Sequence, residues 1–546
     1  MRLADVISKR ARQTLWIAAA AVSLVATDLG ARILATNDEA RFAVLAQDIL
    51  VRGDWLHPRL NGSPYFNKPP LQAWLIAAAS WPSGHVTQVT AVLPSALAAI
   101  AATLAVWALG RRLFGTDAGR AAALAFMTMQ GVFLHARLPL PDMLMTALIT
   151  ASLGMYSLAL RGTDRHWVAF YGLVGVAFWA KGPAGLLPLA VAIVDGRLRF
   201  KRDWWRRIGL PRGLVVVLVV VAPWWIAGFS ADRAALSHAI VSDQLRWYAP
   251  AAPSLASLMA PFQNVASVAF PWVLVLPLVV VQALRVTRGR GTERDHVVLL
   301  LTWTVVTLVL VALSRSQRMR YYLPLAPPLA LLIGWWYAGS VVKHRAEQPV
   351  RWRVYATIGA SVAVLALAVS AARPRWRDEV RLLVPDSVGE ATFLLAALGL
   401  MLLSLVLGVR HKRLAPAFAA AWIGAVLLLA GGYHWALVRR NAAYDYQRIY
   451  VAAQPLLRDV NELRAWGVSA LPLAFYFRRP VTAVEPHHAL PALPADRVPT
   501  LAVARASLLP RGRSPELIVV GGERLGPDAV ALVRQESRAA DGRAAP

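Results

Sequence analysis

About thirteen stretches of this chain approach the length of a bilayer crossing. They lie near 14–34, 88–110, 118–135, 141–160, 166–180, 182–195, 213–230, 264–285, 296–313, 321–341, 352–372, 389–409 and 415–438. Crossing the hydrocarbon core takes roughly 20 mostly apolar residues in a helix. A helix is demanded because lipid offers no partner for backbone N–H and C=O groups. Of the 546 residues, 57% are hydrophobic and only 16% are charged, whereas soluble domains carry ~25% charge. An all-α polytopic membrane protein is the fold class this pattern dictates.

The basic residues set its orientation. Arg111–Arg120, Arg161–Arg165, Arg197–Arg212, Arg285–Arg294, Lys343–Arg353 and Arg410–Arg413 are alternate connections, and all are basic. Cytoplasmic loops collect Lys and Arg, so these connections face the cytoplasm and the 36–87 loop faces outward. The same rule absorbs the net charge of +28, which leaves no case for nucleic acid as a partner. Membrane lipids are the expected surroundings. Two outward connections, Arg315–Arg320 and Arg373–Arg381, carry positive charge on the wrong side, and the first is a site candidate. Arg2, Lys9, Arg10 and Arg12 precede the apolar Leu15–Ala26 without a small-residue cleavage site after it. An uncleaved first helix with its N-terminus inside is therefore expected. There is no cysteine, hence no thiol nucleophile or Cys-based metal site.

From about 439 the composition changes, dividing the chain into a transmembrane domain, 1–438, and an outer domain, 439–546. Apolar residues Ile449, Leu456, Leu457, Val460 and Leu463 predict an amphipathic helix through Tyr446–Trp466. Short apolar runs follow at Leu471–Phe477, Thr500–Ala504 and Glu516–Val520, then a helix near Ala529–Gln535. The whole reads as a small α/β domain.

The first outer loop is too rich in chemistry for a connector. Thr36 and Glu39 have the spacing of a capping box, and Phe42, Leu45, Ala46 and Ile49 continue it as an amphipathic surface helix. Glu39 is thus either a cap or a reactive acid. Asp38 is not needed by the cap and suits a general base or a substrate-positioning group. A second surface helix starts at Pro69-Pro70, with Leu71, Trp74, Leu75 and Ala78 as its buried stripe. The turn-rich Asn61–Tyr65 joins the two. Lysine is scarce. Lys9, Lys201, Lys343 and Lys412 fall in cytoplasmic regions, but Lys68 and Lys181 face outward, where topology does not explain them. Outward ammonium groups suit a phosphate or an anionic headgroup, or else snorkel to the interface. Asp142 opens the fourth span on the same side, where an acid is either a cap or functional.

Asp38–Phe42, Gly53-Asp54-Trp55, Asn61–Pro70, Leu138–Asp142, Ala180–Gly185, Ala222–Trp225 and Tyr321–Pro324 occur in that order. Together they resemble the GT-C membrane glycosyltransferases over about 36–335. The branch most similar is aminoarabinose transferase-like, related to the protein O-mannosyltransferases, and the tail resembles that branch's C-terminal outer domain. The resemblance implies a GT-C fold that transfers a sugar from a polyprenyl-phosphate-linked donor of the undecaprenyl type. The acceptor would be a lipid, glycan or protein at the periplasmic face of a bacterial inner membrane. By matching positions, Asp38 is the central catalytic acid and Asp142 the second, with Glu39 beside them. Arg41, Tyr65, Lys68, Lys181, Arg246, Arg320, Tyr321 and Tyr322 are the substrate-binding set.

Two positions depart from the aminoarabinose transferases. Their metal-binding Glu is Asn67 here, and their metal-binding His is Gln244. An amide is a poor zinc ligand, so no metal ligand is assigned and a divalent metal stays open. His238 is a nearby candidate replacement. Two other functions are to be weighed. Protein O-glycosylation uses the same donor class. A lipid or sugar transporter would place polar groups at mid-bilayer on paired broken helices, a pattern the chain does not show.

Overall fold

The structure is a computed structural model that describes residues 3–162, 164–245, 255–342, 384–410, 414–458, 460–486, 500–509, 517–526 and 528–535. Two compact units partition the chain. A helical unit comprises 1–29, 66–72 and 92–435, and a tail unit comprises 30–65, 73–91 and 436–546. The first outer loop, counted from sequence with the membrane part, falls mostly in the tail unit.

Among the described residues of the chain, six helical stretches are long and apolar enough to cross a membrane. They are Gln88–Phe114, Pro141–Ala159, Asp164–Arg207, Leu210–Ala231, Thr292–Ala312 and Ala415–Leu456. Ala11–Ala26, Leu276–Thr287 and Val388–Ser404 are shorter apolar helices. The expected span 352–372 and the basic connections Lys343–Arg353 and Arg373–Arg381 lie outside the described residues.

Several expected spans are interrupted, each for a local reason. The first helix, Leu3–Ala26, stops short of 34, because Asp28 and Gly30 take positive φ values of 51° and 75°. The run 118–135 splits into Thr116–Met127 and Gln130–His135. There the Gln130 N–H bonds to Phe270 O at 2.8 Å, and Thr128 accepts from the Trp272 indole at 2.9 Å. At 182–195, Gly182 (φ 64°) and Pro183 impose a 3-10 turn, Gly182–Leu186, before a helix over Leu187–Phe200. A Cβ on Gly185 would lie 2.2 Å from the Ala177 carbonyl, so that turn tolerates only glycine. Pro271 and Pro277 break 264–285 into Leu255–Ala269, a 3-10 turn and Leu276–Thr287, since proline removes the ladder donor. Pro324, Pro327 and Pro328 likewise make Met319–Leu325 a 3-10 segment ahead of Ala326–Val342.

In the tail unit, Asn37–Arg52 is a helix whose capping box forms as expected. Phe42, Leu45, Ala46 and Ile49 are all buried. Asn61 and Gly62, both at positive φ, turn the two-residue strands β1 (Arg59–Leu60) and β2 (Ser63–Pro64) into a hairpin, the conformation that Asn-Gly favours. The helix Leu71–Ser80 buries Ala73, Ile76 and Ala77. The expected stripe is corrected: Leu75 and Ala78 are exposed and Leu71 and Trp74 half-buried.

The unit's sheet comprises β3 (Glu462–Trp466), β4 (Val481–Val484), β5 (Thr500–Arg505), β6 (Leu517–Leu525) and β7 (Asp528–Gln535), in the order β4-β3-β5-β7-β6. β3 runs parallel to β4 and β5, and β7 is antiparallel to β5 and β6. Two expectations are corrected here. The predicted helix 446–466 ends at Ala453, and its remainder becomes β3 after Pro455. Leu463 through Trp466 are buried, and a strand buried on both faces carries no alternation to betray it. The run at 471–477 is a helix, Ala470–Phe477, because parallel strands need a crossover. The helix predicted at 529–535 is strand β7, held by ladders on both sides.

Candidate functional site

Within the helical unit, residues 66–72 form a short strip that carries Lys68. Phe66 is buried, with its ring 5.7 Å from that of Trp224. Downstream, Gln72 donates to Ser95 Oγ at 3.3 Å, and Ser95 donates to Leu140 O at 3.0 Å. The strip is thereby tied to the turn before Asp142. Lys68 and Asn67 are half-buried.

Asp142 sits in the first turn of Pro141–Ala159, where Pro141 occupies the first helical position. Its carboxylate forms an ion pair with Lys181, at the end of the helix Asp164–Lys181. Side-chain exposure is 2% for Asp142 and 8% for Lys181. The Lys181 ammonium stands 4.4 Å from the centre of the Tyr321 ring. Arg320 lies 5.3 Å from the same ring. Tyr322 is buried and donates to Gln317 Oε1 at 2.8 Å. These contacts bring the buried Asp142–Lys181 pair together with a phenol face and a half-buried Arg320. Cations stacked on aromatic faces at low exposure gain more than in water.

The tail unit holds Asp38, Glu39, Arg41 and Tyr65. Asp38 keeps 28% of its side chain exposed and pairs with Arg41 at 3.1 Å, one helical turn on. Tyr65 is buried, and its N–H bonds to Pro58 O at 3.0 Å. Glu39 is buried and fully engaged. It accepts from Arg32 at 2.7 and 3.0 Å, from Arg440 at 2.8 and 3.1 Å, from the Ala35 N–H at 2.9 Å and from the Thr36 N–H at 3.3 Å. Burial by itself would raise its pKa. The charges of Arg32 and Arg440, with the bonds from Arg32 and Ala35, overcome that and hold it at about 2. Such a group neither gives nor takes a proton near neutrality.

The sequence singled out neither Arg32 nor Arg440. Both lie outward on the topology that made Lys68 and Lys181 conspicuous, so extending that census from lysine to arginine would have found them. The tail's grip on the loop was equally silent. Leu34 N–H and Gln88 both donate to Tyr476 Oη, at 3.1 and 2.8 Å. Leu471 N–H donates to Asn37 Oδ1 at 3.0 Å. Asn61 pairs with the backbone of Val481 through both amide atoms, at 2.6 and 3.1 Å.

Arg246 lies outside the described residues, as does the side chain of Gln244. His238 is exposed near the end of the helix Arg233–Ala239. No three acidic or histidine side chains gather as a metal site among the described residues. Asn67 brings a neutral amide to its position, and no step is assigned to a metal.

Comparison with known proteins returns one consistent set. Residues 67–226 match the sequence family described as dolichyl-phosphate-mannose-protein mannosyltransferase. An undecaprenyl phosphate-alpha-4-amino-4-deoxy-L-arabinose arabinosyl transferase of Pectobacterium carotovorum is 28% identical over 63% of this chain and 62% of its own length. A protein of the same name from Erwinia tasmaniensis is 26% identical over 72% of this chain and 73% of its own. The chain thus spans less than two thirds of the first of these relatives. ArnT from Cupriavidus metallidurans, crystallised with undecaprenyl phosphate, superposes with a TM-score of 0.72 at 21% identity. That alignment covers 97% of this chain and 99% of ArnT, so the fold is shared.

Proposed function

We propose that this chain, a GT-C protein of the aminoarabinose transferase-like family, moves a sugar from a polyprenyl-phosphate donor to a lipid or glycan acceptor. The reaction would take place at the periplasmic face of the inner membrane. The observation that carries this reading is the buried Asp142–Lys181 pair under Tyr321 and Arg320. As the sugar–phosphate bond breaks, its electron pair passes to the phosphate, and cations already fixed in a dry setting stabilise that charge without reorganising. Lys181 and Arg320 are suited to this role, with Lys68 on its tethered strip. Asp142 is committed to Lys181. Its role is to hold that ammonium charged and aimed, and removing it would leave an uncompensated buried cation.

Asp38 is the group left for proton transfer. It would take the proton of an acceptor hydroxyl as the oxygen attacks the anomeric carbon, giving inversion. Arg41 orients its carboxylate, and Glu39, already saturated, fixes the helix start from which Asp38 projects.

The test is transfer from synthetic undecaprenyl-phosphate sugars by the purified chain. Asp38→Asn should nearly abolish turnover while the protein still inserts, and full activity in that variant would remove the assignment. Analysis of lipid-linked sugars in a deletion strain names the donor by the carrier that accumulates. A second reading is favoured by the match to the mannosyltransferase family: the acceptor is a protein hydroxyl. Loss of periplasmic glycopeptides from the deletion strain, read by mass spectrometry, would select it.

A further inference from the structure

We infer that the bend at Lys201–Arg212 is a binding site for anionic phospholipid. Seven of the sixteen residues from Arg197 to Arg212 are Lys or Arg, and one is Asp. Topology asks for positive charge in this connection, but it does not ask for a rigid bend. The bend is nonetheless built firmly. Lys201 takes φ 50° and Gly209 φ 62°. Ile208 is fully buried, and its carbonyl accepts from Tyr171 Oη at 2.8 Å. Short 3-10 and α turns, Lys201–Asp203 and Trp204–Arg207, fill the space between.

Among the described residues, Arg199 is the cation of this stretch paired with acids, the buried Asp195 and also Asp295. Of the other cations, all exposed, three lie against aromatic rings. Arg197 lies 5.3 Å from the Trp204 ring, Arg206 4.9 Å from Trp205 and Arg207 5.7 Å from Phe200. Among the described residues none of these three forms an ion pair with an acid. A guanidinium held over a ring keeps its N–H edge available for a phosphate and loses little freedom on binding.

The neighbouring helix fixes the depth. Leu210–Ala231 presents Leu214, Val215, Leu218 and Val219 at 45–66% exposure, an apolar face that begins within one turn of Arg212. Trp205, 39% exposed, matches the headgroup level that tryptophan prefers. Cations one turn from a lipid-facing surface, beside an interfacial indole, meet phosphodiester groups rather than bulk solvent. Anionic phospholipid is the occupant whose charge complements them.

The test is native mass spectrometry of the full chain in neutral detergent with phosphatidylglycerol or phosphatidylcholine. Retained phosphatidylglycerol with little phosphatidylcholine is expected, and equal retention overturns the inference. The triple variant Arg202→Gln, Arg206→Gln, Arg207→Gln should weaken retention about tenfold or more. Arg112→Gln, Arg120→Gln, Arg165→Gln, which removes the same charge from other basic loops, should not. Equal loss in both would reduce the effect to net charge and overturn the site. Undecaprenyl phosphate added to the triple variant of the bend should still be retained; parallel loss would assign the bend to the donor instead. Should the triple variant fail to insert, Trp205→Ala keeps every charge and should weaken retention about two- to fivefold. Unchanged retention there would count against the aromatic support.

Discussion

Replacing Glu39 by glutamine tests whether the helix that presents Asp38 is held by an electrostatic clamp. The carboxylate's pKa falls from 4.5 to about 2 in the folded chain. At about 1.4 kcal/mol per unit, the native structure favours the ionised form by about 3 kcal/mol. Because the folded pKa is depressed, this stabilisation is present in full above pH 4.5 and is lost as pH falls toward 2. Glutamine imitates the protonated state at every pH. Glu39→Gln should therefore cost about 3 kcal/mol locally at pH 7, with a cost that shrinks on acidification. Glu39→Ala leaves Arg32 and the buried Arg440 without a counter-charge, which places it at about 3–5 kcal/mol. Hydrogen exchange followed by mass spectrometry reads the effect directly. The Leu34, Ala35 and Glu39 amides, which bond to Tyr476, Glu39 and Thr36 respectively, should exchange faster by two orders of magnitude or more in Glu39→Gln. Turnover should fall with them because Asp38 loses its fixed base. Unchanged exchange at pH 7, or an equal cost at pH 3 and pH 7, would refute the clamp.

Other outcomes follow from the same geometry. Lys181→Ala should remove most transfer activity. Lys181→Met and Asp142→Ala each leave one buried charge unpaired and should both lower stability, by about 3–5 kcal/mol, while the double variant Asp142→Leu, Lys181→Met should recover much of it, as thermal unfolding in detergent reads. Gly185→Ala should disturb the Gly182–Leu186 turn and lower turnover without touching a charged group, because its Cβ has only backbone to move into. Asp142→Asn should impair transfer by weakening the hold on Lys181, and its profile of rate against pH should lack any new basic limb, as expected of a group that positions rather than transfers a proton.

Much of the helical part was legible because its signal is physical and local. Twenty apolar residues have few alternatives in lipid, and the prolines that broke several expected runs were visible, whereas the break before Gln130 depends on a distant partner, the Phe270 carbonyl. Asp38, Lys68, Asp142 and Lys181 stood out because neither topology nor the capping box called for them, although capping and snorkelling were rival uses for Asp142 and the lysines. The tail misled for the opposite reason. The identity of β7 depends on register with β5 and β6, as far as from Gln535 back to Thr500 and invisible in its own composition. Glu39 could be read as a cap or as a reactive acid. Only the convergence of Arg32 and Arg440, the latter 401 positions away, showed the carboxylate saturated.

The unit boundary between Tyr65 and Phe66 gives that distinction an experimental consequence. Asp38 belongs to the unit with the tail, and its helix is held there by Tyr476, Asn37, Asn61 and Arg440. If the tail were only an accessory, small changes in it would leave chemistry alone. Tyr476→Phe removes one oxygen that accepts from both Leu34 and Gln88, at a cost of about 1–3 kcal/mol, while the ring can keep its stacking on Tyr446. On the proposed role of Asp38, in the transition state rather than in donor binding, the expected result is a lower kcat with donor KM little changed. A pure loss of stability would reduce the amount of active enzyme and would be repaired by lowering the assay temperature, whereas a displaced Asp38 would not. Normal kcat in folded Tyr476→Phe, with Asn37→Ala equally silent, would show that the tail supports the loop without setting the position of its acid.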